Sequence, residues 1–214
     1  MTHPMTHPMT NPEALLARPA NVCARLALSF LSAALLMIAV PPAHAEIGLL
    51  GHGPLVVGGW IEEEDATDTD QELNWAMVGW GWRLEGPDAL DRFFGKASID
   101  FSWKIEALGG AILGDRESVE ASVVPLFVLA PASAERWIPY VEGGVGLAYT
   151  DLRGFDLGSR IQFSDNIGFG IAHNTDGGSR CSVAYRFRHI SHAGLWAESN
   201  DGLNSHFLVF SFER

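Results

Sequence analysis

A histidine and a serine lie two residues apart in the stretch RFRHISHAGLWAESNDGLN, residues 186–204. An imidazole that accepts the proton of a hydroxyl group turns that hydroxyl into a nucleophile, which is the chemistry of serine esterases. Because residues on a β-strand advance about 3.3 Å each, His189 and Ser191 would share one face and could reach hydrogen-bond distance. The pair is therefore a candidate general base and nucleophile. The alternative is two polar residues that fall together by chance at the end of a strand.

Other catalytic and metal-binding patterns are missing from the sequence. It contains no G-x-S-x-G, no H-E-x-x-H and no C-x-x-C. His189 and His192 are three apart, and on a strand this spacing puts the two rings on opposite faces, which argues against a zinc site. We therefore predict no metal site and no cofactor.

The elements that must position the pair are β-strands, because apolar and polar residues alternate along most of the chain. Residues 97–107, 160–172 and 181–188 show the pattern best. Turn or loop signals such as EGPD, LGGAILGD, APASAE, DLRGFDLG and NTDGG separate the alternating stretches. The eight predicted strands are residues 54–62, 74–84, 96–108, 117–130, 136–149, 160–172, 179–190 and 204–213.

Eight alternating strands fit two kinds of barrel. A soluble lipid-binding barrel has its apolar face inside, whereas an outer-membrane barrel turns it towards lipid and fills its lumen with polar side chains. Charges of both signs on the polar face, and aromatic residues near strand ends (Trp103, Trp137 and Tyr149), favour the second. We predict an all-β, eight-stranded antiparallel transmembrane β-barrel. The predicted lipid-facing residues include Phe101, Trp103, Phe163 and Phe169, and the predicted lumen charges are Asp100, Lys104, Glu106, Glu120, Glu142, Arg160, Arg186 and Arg188.

Residues 1–45 are predicted to be a secretory signal peptide cleaved after Ala45. Arg18 and Arg25 precede an apolar run over residues 26–40, and an A-x-A-like site follows it. Residues 46–214 would then form a single domain, the barrel. Removing Arg18, Arg25 and Glu13 from totals of 14 basic and 26 acidic residues leaves 12 and 25, a net charge of −13. So acidic a domain argues against nucleic-acid binding, which needs basic surface.

The His-Ser pair belongs to a longer pattern, H-x-S-x-A followed by N-x-G before the last strand. The sequence reads His189-Ile-Ser191-His192-Ala193 and then Asn200-Asp-Gly202. This pattern resembles the signature of the lipid A 3-O-deacylase (PagL) family, whose members are eight-stranded outer-membrane barrels. The resemblance implies an esterase that removes the ester-linked 3-O acyl chain of lipid A.

The resemblance also implies roles for single residues. Ser191 would be the nucleophile and His189 its base. Asn204 takes the place of the family's glutamate, which orients the histidine. An asparagine can hold the ring by a hydrogen bond but cannot offset imidazolium charge, and Glu198 in the same loop is a substitute candidate. The oxyanion and substrate contacts would come from His192, Gly194 and Asn200, with Leu195 and Trp196 against the acyl chain.

On this interpretation the site lies on the lipid-facing outer rim of the barrel, towards the outer leaflet of the outer membrane. Its partners are lipid A or lipopolysaccharide and outer-membrane lipids, and a homodimer is left open. Residues 62–72 carry seven carboxylates and are interpreted as a solvated external loop, with weak divalent-cation binding as the alternative. The rival functions are a non-catalytic small barrel of structural or adhesin type and a periplasmic lipid-binding barrel.

Overall fold

The strands predicted from alternation form a closed antiparallel barrel in a computed structural model, which describes residues 48–61, 72–114, 117–152, 157–195 and 202–214. Each described strand pairs with its neighbours in chain order, and β1 closes the barrel against β8. The strands are β1 (Leu49–Ile61), β2 (Leu73–Glu85), β3 (Ile99–Gly114), β4 (Ser118–Pro131), β5 (Trp137–Thr150), β6 (Ile161–Asn174), β7 (Arg180–Ser191) and β8 (Leu203–Glu213). The predicted fold class is confirmed.

The outer surface of the barrel is apolar. Ile167 and Phe169 on β6 are 66% and 62% exposed, while the alternate residues Asn166 and Gly168 are buried on the lumen side. A surface of this kind suits contact with lipid better than contact with water. The outward position predicted for Phe169 is confirmed, whereas Trp103 and Phe163 are half-buried at the surface.

The prediction for Phe101 was wrong in one respect. Its side chain is only 8% exposed, because a short helix, α1 (Asp88–Gly95), covers it and stacks Phe94 on its ring with centroids 5.5 Å apart. The sequence predicted a turn at the start of this region, EGPD. An eight-residue amphipathic helix is too short to give a clear periodic signal.

The lumen is filled partly by a four-residue ion-pair cluster of Lys104, Glu106, Glu142 and Arg186. Arg186 donates from Nη1 to Glu106 Oε2 at 2.8 Å and from Nη2 to Glu142 Oε1 at 2.7 Å. Lys104 Nζ lies 2.7 Å from Glu106 Oε1. All four side chains are buried, and two cations face two carboxylates. Buried charges of this type are tolerated only when paired and hydrogen-bonded.

A second buried group surrounds Arg188. Its guanidinium pairs with Glu120 and donates from Nε to Ser205 Oγ at 3.2 Å. The indole of Trp75 donates to Glu120 at 2.9 Å, and the guanidinium carbon lies 4.4 Å from the ring centroid of Phe207. The inward direction predicted for both arginines, and their pairing with Glu120 and Glu142, is therefore confirmed.

Two of the charges predicted for the lumen are elsewhere. Asp100 on β3 and Arg160, one residue before β6, are both exposed. Each lies at or just beyond the end of its strand, where side chains reach solvent and need no partner. The interior therefore holds fewer charges than the polar face of the sequence suggested.

Strand β3 also continues to Gly114 through LGGAILGD, which was predicted to be a loop. Gly110 in this segment reflects close packing instead of a turn. A Cβ added to Gly110 would lie 2.2 Å from the carbonyl oxygen of Ala76 on β2. The prediction of a loop failed because a glycine in the sequence can indicate either a turn or a close approach of two strands.

The two ends of the barrel differ in what they carry. At one end, Arg214 and His52 exchange backbone hydrogen bonds of 3.0 and 2.9 Å, which tie the C-terminus to β1. β7 ends and β8 begins at the opposite end. Within the described ranges, no helix is long and apolar enough to cross a membrane. The predicted signal peptide and acidic segment lie outside the described residues, apart from Glu72.

Candidate active site

The predicted His-Ser pair lies on the outer surface of the barrel, on its β6–β7–β8 face. Arg186, Arg188 and Ile190 point into the lumen and are buried, so the alternate residues His189 and Ser191 point outwards. Cross-strand pairing sets Asp165 of β6 directly opposite His189, with Asn204 of β8 opposite it on the other side. Side chains directly opposite on one face have Cβ atoms about 4.5–5.5 Å apart. The register thus places a carboxylate, an imidazole and an amide in one row.

His189 is held by Asn204. The distance from His189 Nδ1 to Asn204 Oδ1 is 2.7 Å. With the amide oxygen facing the ring, Nδ1–H is the donor, and the lone pair of Nε2 is left to accept a proton. The contact predicted for Asn204 is therefore present, while its role in catalysis remains a prediction.

Ser191 follows on the same outer face and is half-buried, opposite Phe163 of β6. Among the described residues, its hydroxyl forms no hydrogen bond with His189, contrary to the geometry that the spacing allowed. Nucleophile–base contacts are often long in the absence of substrate and tighten when the substrate is bound. His189 and Ser191 therefore share a face of β7 without a hydrogen bond between them in the described structure.

A tight turn follows Ser191. Ala193 and Gly194 both have positive φ, 52° and 74°, and the Leu195 N–H donates to the His192 carbonyl at 3.0 Å. A non-glycine residue in the left-handed region is uncommon and is enriched near functional sites. The side chain of His192 is fully buried. The backbone of this turn is the part of the predicted oxyanion segment that directly follows Ser191, the predicted nucleophile.

Gly202 makes room for the imidazole. Its φ is +76°, and a Cβ added to it would lie 2.4 Å from His189 Cε1 and 2.9 Å from Nε2. Any side chain here would push the ring away from Asn204. The glycine of the N-x-G pattern thus has a physical function, clearance for the His189 ring, that was not predicted from the sequence.

Asp165 is a further candidate residue of this site that was not predicted from the sequence. It lies on the face of β6 that otherwise carries Ile161, Phe163, Ile167 and Phe169. A carboxylate that interrupts an apolar row was the available signal. Its Oδ1 atom is buried and accepts no hydrogen bond within the described part of the chain.

Aromatic rings cover the outer surface next to the row, on the side towards the barrel middle. Tyr185 Oη and His206 Nδ1 are 2.6 Å apart, and His206 stacks on Trp60 of β1 with ring centroids 5.5 Å apart. Phe187 lies edge-on to the same histidine. These rings form an apolar platform across β1, β8 and β7.

Several predicted positions lie outside the described residues, namely Trp196, Glu198 and Asn200. Leu195, predicted to contact the acyl chain, is described and is 60% exposed. The described residues contain no group of three or more His, Cys, Asp or Glu that could hold a metal ion.

Comparison with known proteins agrees with the barrel fold. The family model for lipid A 3-O-deacylase (PagL) matches residues 75–213. The crystal structure of the outer membrane enzyme PagL is similar to the chain with a TM-score of 0.52 and 22% sequence identity. The alignment covers 73% of this chain and 97% of that one. A search of curated proteins gave no match.

Proposed function

Because the chain belongs to the lipid A 3-O-deacylase (PagL) family, we propose that it is an outer-membrane esterase that removes the 3-O acyl chain of lipid A, with Ser191 as nucleophile and His189 as general base. The observation that carries this proposal is the 2.7 Å contact between His189 Nδ1 and Asn204 Oδ1. It leaves Nε2 as the basic nitrogen, on the face that Ser191 also occupies.

Acylation would begin when the ester carbonyl carbon comes within reach of Ser191 Oγ. As the C–O bond to serine forms, the hydroxyl proton passes to His189 Nε2, and the carbonyl oxygen becomes an oxyanion. Backbone N–H groups of residues 192–194 are the donors we propose for that oxyanion. The bond from the carbonyl carbon to the sugar oxygen then breaks, and the imidazolium returns its proton to that oxygen.

Hydrolysis of the acyl-serine would repeat the steps with water. As the water oxygen attacks the acyl carbon, His189 takes a proton from the water. His189 then gives this proton to Ser191 Oγ as the bond between the acyl carbon and the serine oxygen breaks. The products are a 3-hydroxy fatty acid and a lipid A with a free hydroxyl group. No cofactor enters this balance.

A site on the outside of a membrane barrel suits a lipid substrate. Lipid A is embedded in the outer leaflet, so its esters can reach the β6–β7–β8 face by lateral diffusion without entering the lumen. The lumen is filled by buried side chains. The exposed Leu195 and the aromatic platform beside the row are the surfaces we propose for acyl-chain contact.

The decisive experiment is mass spectrometry of lipid A incubated with the purified protein in detergent. We expect release of a 3-hydroxy fatty acid by the wild type and none above background by Ser191→Ala. Equal release by both proteins would exclude Ser191 as the nucleophile. No release by a folded wild type would favour the rival assignment, a non-catalytic barrel.

A further inference from the structure

Asp165 carries a buried carboxylate oxygen that lacks a hydrogen-bond partner among the described residues. It also takes part in none of the ion pairs that the described residues form. A buried, unpaired polar atom is costly and calls for a specific explanation. An apolar residue would fit this position on the outer surface of the barrel without that cost. A contribution to stability therefore does not explain the carboxylate.

Among the described residues around Asp165, one can become a cation next to it. Arg186 and Arg188 are on neighbouring β7, but both point into the lumen and are already paired there. His189 faces the same side as Asp165, directly across the strand pair, and the two groups are close enough to interact electrostatically. A protonated His189 would be the counter-ion that Asp165 lacks.

The other neighbour of His189 cannot supply that charge. Asn204 fixes the ring through Nδ1, but its amide is neutral. In a serine esterase the histidine becomes an imidazolium in the transition state, and a nearby carboxylate stabilises this form. Within the described part of this site, the orienting contact and the negative charge come from different residues.

We propose that Asp165 is a positioning residue that compensates the charge of the His189 imidazolium during acyl transfer, while Asn204 holds the ring in place. The inference rests on the proposed esterase function. In the pattern that this chain resembles, one acid on β8 both orients the histidine and supplies the negative charge. Here Asn204 on β8 would orient the ring, and Asp165 on β6 would supply the charge. Asp165 does not touch the reacting atoms and acts through His189.

The test measures kcat and KM of Asp165→Asn, a substitution that keeps the shape of the side chain. We expect kcat to fall about 300-fold with KM little changed, which is the effect of one unit charge about 5 Å away at an effective dielectric constant near 20. Asp176→Asn, at the far end of the barrel and exposed, is the matched control and should keep full activity.

The discriminating variant is Asp165→Asn combined with Asn204→Glu. If Asp165 supplies charge, a carboxylate on the other side of His189 should restore most of the lost kcat. A purely structural role for Asp165 would leave the double variant as slow as the single one. Both variants are checked for folding by heat-modifiable migration in gels.

The outcomes separate this inference from the function on which it rests. A wild type that is active, a Ser191→Ala variant that is inactive and an Asp165→Asn variant with full kcat would overturn the role of Asp165 alone. A folded Asp165→Asn protein that Asn204→Glu does not rescue would overturn it as well. A wild type with no esterase activity would overturn both proposals.

Discussion

The lumen and the β6–β7–β8 face both carry buried charge, but they treat it differently. In the lumen, Arg186 meets two carboxylates, and Arg188 meets Glu120, a serine and an aromatic ring. On the outer face, Asp165 has a buried oxygen without a partner in the described chain, and His189 is held by a neutral amide. In the resting protein, each charge of the two lumen clusters faces an opposite charge. Asp165 on the outer face forms no ion pair with a described residue.

The difference shows how structural and functional charges can be told apart. A network in which every charge faces an opposite charge lowers the free energy of the folded barrel and needs no further counter-ion. A row that leaves a carboxylate unpaired stays ready for a charge that forms only in a reaction. Substitutions in the two regions should therefore fail in different ways.

The largest effect is expected from the outer row. Ser191→Ala or His189→Ala should each lower the rate of fatty-acid release by about 1,000-fold or more, because the pair acts as a unit. The double variant should lose little beyond either single one. Folding should survive in all three, since both side chains lie at a strand end on the outer surface. Losses that multiply in the double variant would contradict a shared mechanism.

A lumen substitution should affect stability instead. Arg186→Met leaves two buried carboxylates with only Lys104 as a counter-ion and should lower the free energy of unfolding by about 3–5 kcal/mol. Urea titration of the barrel in detergent micelles measures it. The control is Arg136→Met, because its pair with Asp176 is exposed and should matter by less than about 1 kcal/mol. Equal effects at the two positions would mean that the lumen cluster is not structural.

The lipid-facing surface gives the next effect. Ile167 is near the middle of β6 and 66% exposed, so Ile167→Arg should cost about 2–4 kcal/mol if it lies near the bilayer midplane. The same substitution at Leu195, exposed beyond the end of β7, should be tolerated. Folding yield into lipid vesicles distinguishes them. A harmless Ile167→Arg would reverse the assignment of the outer surface to lipid.

The smallest effect is expected from the amide. Asn204→Ala removes the hydrogen bond to His189 and should lower kcat about 10-fold, in line with a charge-assisted contact of about 1.5 kcal/mol. Asn204→Glu should hold or raise the rate, because it keeps an acceptor and adds charge. If Glu198 orients the histidine instead, Glu198→Gln will be the damaging variant, and Asn204→Ala will have wild-type kcat.

The number of strands, and the face of each strand that points into the lumen, could be predicted from the sequence because period-2 alternation indicates both. Arg186 and Arg188 alternate with Tyr185, Phe187 and His189, and that pattern alone separates lumen from surface. Features that depend on long-range contacts did not follow. Helix α1 is stabilised by Phe94 stacking on Phe101 of β3, and the length of β3 depends on how close β2 passes to Gly110.

The same distinction applies to the site. His189, Ser191 and Asn204 are close in sequence and belong to a recognisable pattern, so the sequence alone predicts them. Asp165 is 24 positions before His189, and only the register of β6 with β7 brings the two together. The clearance that Gly202 gives the imidazole is likewise visible only when the ring is in place.

The register of β7 determines both the stability of the barrel and the outward position of the proposed catalytic pair. A slip of one residue would turn His189 and Ser191 into the lumen and both arginines out to lipid. A chain that assembles with the wrong register would therefore be unstable, and its proposed catalytic pair would no longer face lipid. If the pair is catalytic, selection for activity also maintains the arrangement that stabilises the barrel, and an assay of fatty-acid release reports correct assembly of the last two strands.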